Sequence, residues 1–176
     1  MNESILKLAP KGVWEEFKGI LNVPRPSKKE EKMVAYLEKW AKDHKIEYIK
    51  EKCGNIIMNV PATKGMEDRA IIVLQAHMDM VCEKNSDKVH DFEKDPIEAV
   101  IKGDWVHANG TTLGADDGIG VAYELAVLDS DDIEHGKIEC LFTVDEETGL
   151  TGAFGLEPGW LTGDYLINLD SADEGQ

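Results

Sequence analysis

The chain has 176 residues, with 35 Asp and Glu against 19 Lys and Arg, so its formal net charge is −16 and its isoelectric point is about 4.6. A chain of this length fits one domain and can bury roughly 70% of the surface that its unfolded form exposes. Acidic proteins repel nucleic acid and anionic lipid and attract cations, although much of such charge serves solubility. We therefore expect no nucleic-acid partner and no membrane partner.

The three cysteines, Cys53, Cys82 and Cys140, include no Cys-x-x-Cys pair. Their odd number and spacing argue against a disulfide framework and against a thiolate zinc site. Residues 1–8 lack a basic segment followed by an apolar one, and no apolar run approaches the ~20 residues of a membrane span. We expect reduced thiols and a cytoplasmic location.

The first elements predicted are two outer, amphipathic helices. Apolar residues in 10–21 recur at the spacing of one helical face, and Ser27 followed by Glu30 is the pattern of a capping box. Apolar segments bounded by Gly and Pro then indicate strands. We expect helices at 10–21 and from Ser27 to about His44, then strands at 45–49 and 55–60.

The segment 69–80, RAIIVLQAHMDM, is typical of a buried strand that ends in polar side chains. A continuous apolar run favours a strand covered on both faces, as in a parallel sheet, and ligands of open parallel sheets lie beyond the carboxyl ends of the strands. His77 and Asp79 are two residues apart and so share one face of an extended backbone. The carboxylate can hold one imidazole nitrogen while the other binds a metal.

After a polar loop at 83–95 and a hairpin formed by 97–101 and 105–108, the segment 111–120, TTLGADDGIG, leads into a helical pattern. A glycine-rich loop before a helix can bind phosphate, but no Lys-Ser or Lys-Thr follows and two carboxylates would repel the anion. Asp117 suits a helix N-cap. The N-cap does not account for Asp116, and a carboxylate with two free oxygens can bridge a metal pair.

Two more predicted strands also end in acids. Residues 137–144 run into Asp145, Glu146 and Glu147, and residues 164–169 run into Asp170. Packed carboxylates raise one another's pKa unless a cation lies among them. If Asp145, Glu146 and Glu147 are considered alone, a solvated acidic turn is the alternative interpretation.

Four segments thus present ligand-type side chains at strand ends or before a helix. Imidazole with carboxylates, and without thiolates, suits Zn²⁺, Mn²⁺ or Co²⁺, and a carboxylate-rich set suggests two ions with an open position for water. Water between two cations loses a proton readily, an unligated Glu can accept that proton, and the carbonyl of an amide can be attacked. The expected chemistry is amide hydrolysis.

These motifs resemble the M20 co-catalytic metallopeptidases, whose order they follow. The matching segments are HMD at 77–79, GADDGIG at 114–120, DEETGLTGA at 145–153 and NLDS at 168–171. PRPSKKEEK and LGADDGIG are most similar to the aminoacyl-histidine dipeptidase branch. The resemblance implies that His77 and Asp170 bind one metal, Asp116 bridges both, Glu147 binds the second, Asp79 orients His77 and Glu146 is the general base. It also implies a cis peptide bond after Asp116.

The resemblance further implies an α/β fold, a mostly parallel or mixed sheet flanked by helices, of the zinc-peptidase type. Its activity would be hydrolysis of Xaa-His dipeptides with two divalent ions, Zn²⁺ first. Family members are longer, with a lid domain often used for dimerisation and a final catalytic segment that supplies one more histidine ligand. We interpret residues 1–176 as the N-terminal portion, without these parts, and expect it to be inactive alone and prone to self-association; a homodimer is one expectation for the full-length protein. His44, His90, His107 and His135 do not match the missing ligand.

Three alternatives stay open. A related amidohydrolase, such as a tripeptidase or an N-acyl amino acid deacylase, would share the metal chemistry. A non-catalytic acidic protein could bind calcium, but residues 129–134, DSDDIE, lack the frame of an EF-hand and His77 is a poor calcium ligand. An interaction module could retain the fold without the chemistry, although no motif here is damaged.

Overall fold

The computed structural model describes residues 2–171. Met1 and residues 172–176, at the two ends of the chain that we interpret as an N-terminal portion, lie outside the described residues. Within the described part, no helix is both long and apolar enough to cross a membrane. After a short 3₁₀ helix at Glu3–Lys7, the helices are α1 (Lys11–Leu21), α2 (Glu31–His44), α3 (Ala115–Leu128) and α4 (Thr151–Phe154). The strands are β1 (Glu47–Lys50), β2 (Ile56–Val60), β3 (Ile72–His77), β4 (Ala99–Lys102), β5 (Trp105–Ala108), β6 (Ile138–Thr143) and β7 (Tyr165–Asn168).

Five of these strands form one mixed sheet in the order β1-β2-β6-β3-β7. The β1-β2 and β2-β6 pairs are antiparallel, whereas β3 is parallel to both of its neighbours. In this register His77 is opposite Thr143 of β6, and Gln75 is opposite Asn168 of β7. The carboxyl ends of β3, β6 and β7 therefore meet at one edge of the sheet. The remaining strands, β4 and β5, form a separate hairpin.

The main core lies between one face of the sheet and helices α1, α2 and α3. It contains Phe17, Leu37, Leu125 and Phe142, all buried. The other face carries a smaller cluster of Ile57, Val73 and Leu141, against which Leu156 and Leu161 pack. The predicted α/β class, with a mixed sheet flanked by helices, is confirmed.

The predicted elements are all present, with ends that differ by a few residues. Strand β3 is less buried than its apolar sequence predicts. Its residues Ile72, Leu74 and Gln75 are only half-buried. Full burial belongs instead to β6, which is enclosed along its whole length. The reason is position: β6 lies between β2 and β3, whereas β3 lies next to the exposed strand β7.

The capping box predicted from Ser27 and Glu30 is wrong. Helix α2 begins at Glu31, and its N-cap residue Glu30 makes no side-chain capping hydrogen bond. The Ser27 hydroxyl donates instead to Asp79 Oδ2 at 2.7 Å, and Glu30 Oε1 accepts the backbone N–H groups of Lys28 and Asp145. Both side chains are used in tertiary contacts, which a local sequence pattern does not reveal.

Strand β7 lies at the edge of the sheet described by residues 2–171 and pairs there with β3 alone. Its apolar side chains are exposed, with Tyr165 at 65%, Leu166 at 56% and Ile167 at 47%. An open strand edge with apolar side chains favours association with another chain. The expected tendency to self-associate therefore has a physical basis in β7.

Helix α3 buries one carboxyl group without a partner. Glu124 is 0% exposed, and neither of its side-chain oxygens has a hydrogen-bond partner among the residues described. Burial, with a contribution from the charge of Asp117, raises the pKa of Glu124 well above its ordinary value of 4.5. The folded chain therefore holds a proton on Glu124 at a pH at which the unfolded chain has released it.

We predict that Glu124 makes the stability depend on pH. Above about pH 4.5 the folded state binds this proton more tightly than the unfolded state, so the free energy of unfolding decreases as the pH rises. In Glu124→Gln that decrease between about pH 5 and about pH 8 should be smaller, because glutamine has no proton to release in this range. Urea denaturation of the metal-free protein at several pH values measures the free energy of unfolding. Glu134→Gln, at an exposed position, is the control, and equal pH slopes in Glu124→Gln and wild type would contradict the prediction.

Candidate metal centre

The structure brings all six predicted site residues to the same edge of the sheet. His77 is the last residue of β3, Asp116 lies in the first turn of α3, and Glu146 and Glu147 follow β6. From His77 Nε2 the distances are 2.9 Å to Asp116 Oδ1, 4.0 Å to Glu146 Oε2 and 3.9 Å to Asp170 Oδ2. The sixth residue, Asp79, lies on the other side of the imidazole.

Three groups of side chains among the described residues could hold a metal ion, and two of them contain His77. One consists of His77, Glu146 and Asp170, and the other of His77, Asp116 and Glu147; within each group the ligand atoms lie within 4.8 Å of one another. His77 belongs to both groups. Glu146, which we expected to stay unligated, thus also has the position of a ligand.

The His77 ring is buried and is held from both sides by acids. Its Nδ1 lies 3.3 Å from Asp79 Oδ1, off the line of a well-formed hydrogen bond, and its Nε2 faces Asp116. Burial lowers the pKa of His77, but contact with Asp79 and Asp116 outweighs burial and raises that pKa to about 9. The negative charge around the ring therefore favours a cation at Nε2, either a proton or a metal.

Asp79 connects several parts of the site. Its carboxylate accepts the Ser27 hydroxyl and the backbone N–H groups of Glu146 at 3.0 Å and Glu147 at 3.3 Å. Burial would raise its pKa, but the contacts with His77, Glu146 and Ser27 lower it to about 2. The charged Asp79 thus fixes the position of the His77 ring relative to the loop that carries the two glutamates.

Asp117 has a role beyond the N-cap that its position predicts. Its Oδ1 accepts the N–H of Gly120 at 3.1 Å, as an N-cap does, and its Oδ2 accepts the backbone N–H of His77 at 3.3 Å. The expected cis peptide bond between Asp116 and Asp117 is confirmed. Burial raises the pKa of Asp117 to about 7, although His77 opposes this shift. Asp117 therefore connects the first turns of α3 to the end of β3.

The acids that face His77 have raised pKa values, as expected for packed carboxylates. For Glu146, Glu147 and Asp170 the first cause is burial, and nearby acids such as Asp116 add to it while His77 opposes it. A cation among these groups would remove that mutual repulsion.

The donor atoms fit a divalent transition metal. With bonds of about 2.0 to 2.2 Å to nitrogen and oxygen, two ligands of one Zn²⁺ ion are at most about 4.4 Å apart. The distances from His77 Nε2 to Asp116, Glu146 and Asp170 satisfy this limit. The mixed imidazole and carboxylate set suits Zn²⁺, Mn²⁺ or Co²⁺.

None of the other histidines belongs to a candidate metal group within residues 2–171. His44, for example, stacks on Trp40 with ring centroids 3.9 Å apart. Two residues behind the site, Arg25 and Glu30, were not predicted from the sequence to support it. Both lie in the N-terminal segment that resembles the M20 family, and this was the only signal that could have indicated them.

Comparison with known proteins shows the family of the chain. The profile of Peptidase family M20/M25/M40 matches residues 73–172, more than half of the chain. The cytosol non-specific dipeptidase of Escherichia coli (strain K12) is 51% identical over 170 residues, which are 97% of this chain and 35% of that protein. The chain belongs to the M20/M25/M40 peptidase family.

Two solved structures show the same fold. The aminoacylhistidine dipeptidase from Vibrio alginolyticus superposes with a TM-score of 0.94 at 53% identity, over 97% of this chain and 35% of that chain. The aminopeptidase PepT from Bacillus cereus ATCC 10987 superposes with a TM-score of 0.76 at 29% identity, over 92% of this chain and 43% of that chain. The chain thus spans about a third of the length of the dipeptidases that it matches.

We predict that Asp79 sets the protonation of His77. In the chelator-treated protein, Asp79→Asn should move the pKa of His77 from about 9 toward its ordinary value of 6.5, because the buried ring loses its charged partner. The pairing stabilises the fold fully below about pH 6.5, and this stabilisation is lost as the pH rises through about 9. NMR titration of the His77 ring proton measures the shift. Asp104→Asn, at an exposed position, is the control, and an unchanged His77 titration in Asp79→Asn would refute the prediction.

Proposed function

We propose that the protein is a metal-dependent dipeptidase that uses two divalent metal ions, with Zn²⁺ the first choice and Mn²⁺ or Co²⁺ as alternatives. The observation that carries this proposal is the convergence of His77 with four acids, Asp116, Glu146, Glu147 and Asp170, at one edge of the sheet. The 51% identity with a dipeptidase of Escherichia coli supports the reaction class.

In this proposal His77 and Asp170 would hold one ion, Glu147 would hold the second, and Asp116 would be a ligand of both. Asp116 contacts His77 at 2.9 Å, shares a candidate group with Glu147 and also contacts Asp170 of the other group, which suits a bridging ligand. Asp79 orients His77 from the opposite side of the ring. The bound ions would supply Lewis acidity, which polarises a peptide carbonyl and lowers the pKa of water.

Glu146 is the proposed general base. Its carboxylate oxygen accepts a proton from the water that attacks the scissile carbonyl carbon, and the same oxygen then gives the proton to the leaving amine nitrogen. The raised pKa of Glu146, caused first by burial and then by the neighbouring acids, suits both transfers. The backbone N–H of Glu146 bonds to Asp79, which fixes the start of this loop.

The proposed substrates are small peptides, in the first place Xaa-His dipeptides. This preference rests on the similarity to the Vibrio aminoacylhistidine dipeptidase. We further propose that residues 1–176 are the N-terminal portion of the catalytic domain, since they align with about 35% of each dipeptidase, and that they are inactive when isolated. A cytosolic location and a homodimer of the full-length protein complete the proposal.

A related amidohydrolase is the second candidate. The 29% identity with the aminopeptidase PepT of Bacillus cereus favours an aminopeptidase as this candidate. The metal chemistry would be the same, and only the side chains that contact substrate would differ.

We predict that substitutions at Glu146 and Asp116 affect different properties, kcat in the first case and metal affinity in the second. In the full-length protein, Glu146→Gln should keep metal affinity within about tenfold and lower kcat by roughly 10² to 10⁴, because only the proton acceptor is lost. Asp116→Ala should lose metal affinity, measured by competition with a chromophoric chelator. Glu134→Gln is the control for both measurements. If Glu146→Gln loses the metal and Asp116→Ala keeps it, the proposed roles are wrong.

We also predict a defined substrate range. The full-length protein should hydrolyse Gly-His and Ala-His faster than Ala-Ala, and tri-alanine or N-acetyl-alanine more slowly still. A chelator should abolish the activity and Zn²⁺, Mn²⁺ or Co²⁺ should restore it. Faster cleavage of tri-alanine than of any dipeptide would favour the aminopeptidase alternative.

A further inference from the structure

Arg25 is the largest fully buried side chain among the residues described, with only 2% of its surface exposed. Its guanidinium group lies behind the candidate metal centre and donates to three backbone carbonyl groups. Nη1 donates to Met78 O at 3.2 Å and to Asp79 O at 2.8 Å, and Nη2 donates to Gly114 O. One side chain thus connects the segment that follows His77 with the loop that precedes Asp116.

The backbone around Arg25 is fixed to the same segment. Arg25 O accepts the N–H of Met80 at 3.1 Å, and Pro26 forms a parallel bridge with Met80. Two residues after Arg25, the Ser27 hydroxyl donates to the Asp79 carboxylate. The guanidinium group therefore extends from an anchored backbone, and its reach to Gly114 has little freedom.

The guanidinium group occupies space that is free only because two neighbouring residues are glycines. A Cβ atom at Gly114 or at Gly118 would lie 2.5 Å from Arg25 Nη2, closer than non-bonded atoms approach. Gly114 also has a φ of 68°, which favours glycine, whereas no such conformation requires a glycine at Gly118. The absence of a side chain at Gly118, inside a helix, is thus explained by Arg25.

A role in packing alone does not account for a charged group at this position. Burial removes water from the charged guanidinium group and lowers the pKa of Arg25 to about 10. An apolar side chain of similar volume would fill the same space without this cost. The planar fork of arginine, in contrast, can donate to carbonyl groups of two separate segments at once, and lysine lacks this geometry. The feature that only arginine supplies is the fixed distance between those segments.

We propose that Arg25 is a positioning residue of the metal centre, which sets the spacing between His77 and Asp116 by holding the Met78 and Asp79 carbonyls and the Gly114 carbonyl on one guanidinium group. The inference rests on the proposed function, because it assumes that His77 and Asp116 bind metal. It predicts that changes at Arg25 or Gly118 alter metal binding although neither residue is a ligand.

The test compares Arg25→Lys with wild type in the full-length protein. Cobalt affinity, measured by competition with a chromophoric chelator, should fall by about 10- to 100-fold, the usual effect of residues that support metal ligands. The visible absorption spectrum of the Co²⁺ protein should also change, since the ligand geometry changes. Arg69→Lys, at an exposed position, should alter neither, and Asp116→Ala should abolish binding. Urea denaturation shows whether each variant is folded under the conditions of the titration.

A second variant separates positioning from a general loss of stability. Gly118→Ala should weaken cobalt binding when Arg25 is present, because its Cβ displaces the guanidinium group. In an Arg25→Met background the same change should have no further effect, since the displaced group is gone. Independent effects of the two substitutions would overturn the proposal. If Arg25→Lys does not fold, Gly118→Ala alone decides, and unchanged affinity and spectrum would refute the inference.

The wild-type protein provides the reference for the proposed function. If wild type binds no cobalt, or if Asp116→Ala binds it equally well, the proposed function fails and the role of Arg25 fails with it. If wild type binds cobalt through Asp116 and Arg25→Lys gives the same affinity and spectrum, only the inference about Arg25 is overturned.

Discussion

The parallel pairing of β3 with both β6 and β7 is the constraint on which the candidate site depends. Parallel strands in register end at the same edge of a sheet, and the loops that leave them must start there. His77 is opposite Thr143, and Gln75 is opposite Asn168, so the acids that follow β6 and β7 lie within a few residues of the imidazole. A shift of one residue in either register would turn these side chains to the other face.

Buried carboxylates convert this arrangement of strands into fixed side-chain geometry. Asp79 joins the N-terminal segment, the His77 ring and the loop at Glu146 through one side chain, and Asp117 joins the backbone of His77 to helix α3. Neither acid is exposed to solvent. The site thus has an outer layer of acids that face His77 and an inner layer that holds the outer layer in place.

The strands, the helices and the convergence of six polar side chains could be predicted from the sequence, because apolar runs and the acids that follow them are local patterns; the metal-binding and catalytic roles of these side chains stay predictions. Prediction failed where a side chain has a distant partner. Ser27 and Glu30 match a capping box, but their partners Asp79 and Asp145 lie far along the chain. The same holds for Arg25, whose contacts with Met78 and Gly114 cannot be derived from any local spacing. The partial exposure of β3 depends on strand order, which a single strand does not encode.

The position of Asp170 has a kinetic consequence. It follows β7, which within residues 2–171 pairs with β3 alone, whereas His77 and Glu146 are attached to strands that are paired on both sides. Edge strands open at a lower free energy than central ones. If His77 and Asp170 share an ion, as proposed, its residence time would therefore depend on the opening of β7 as well as on the strength of the ligand bonds. Any chain segment that pairs with the free edge of β7 would slow the exchange of the ion without contacting it.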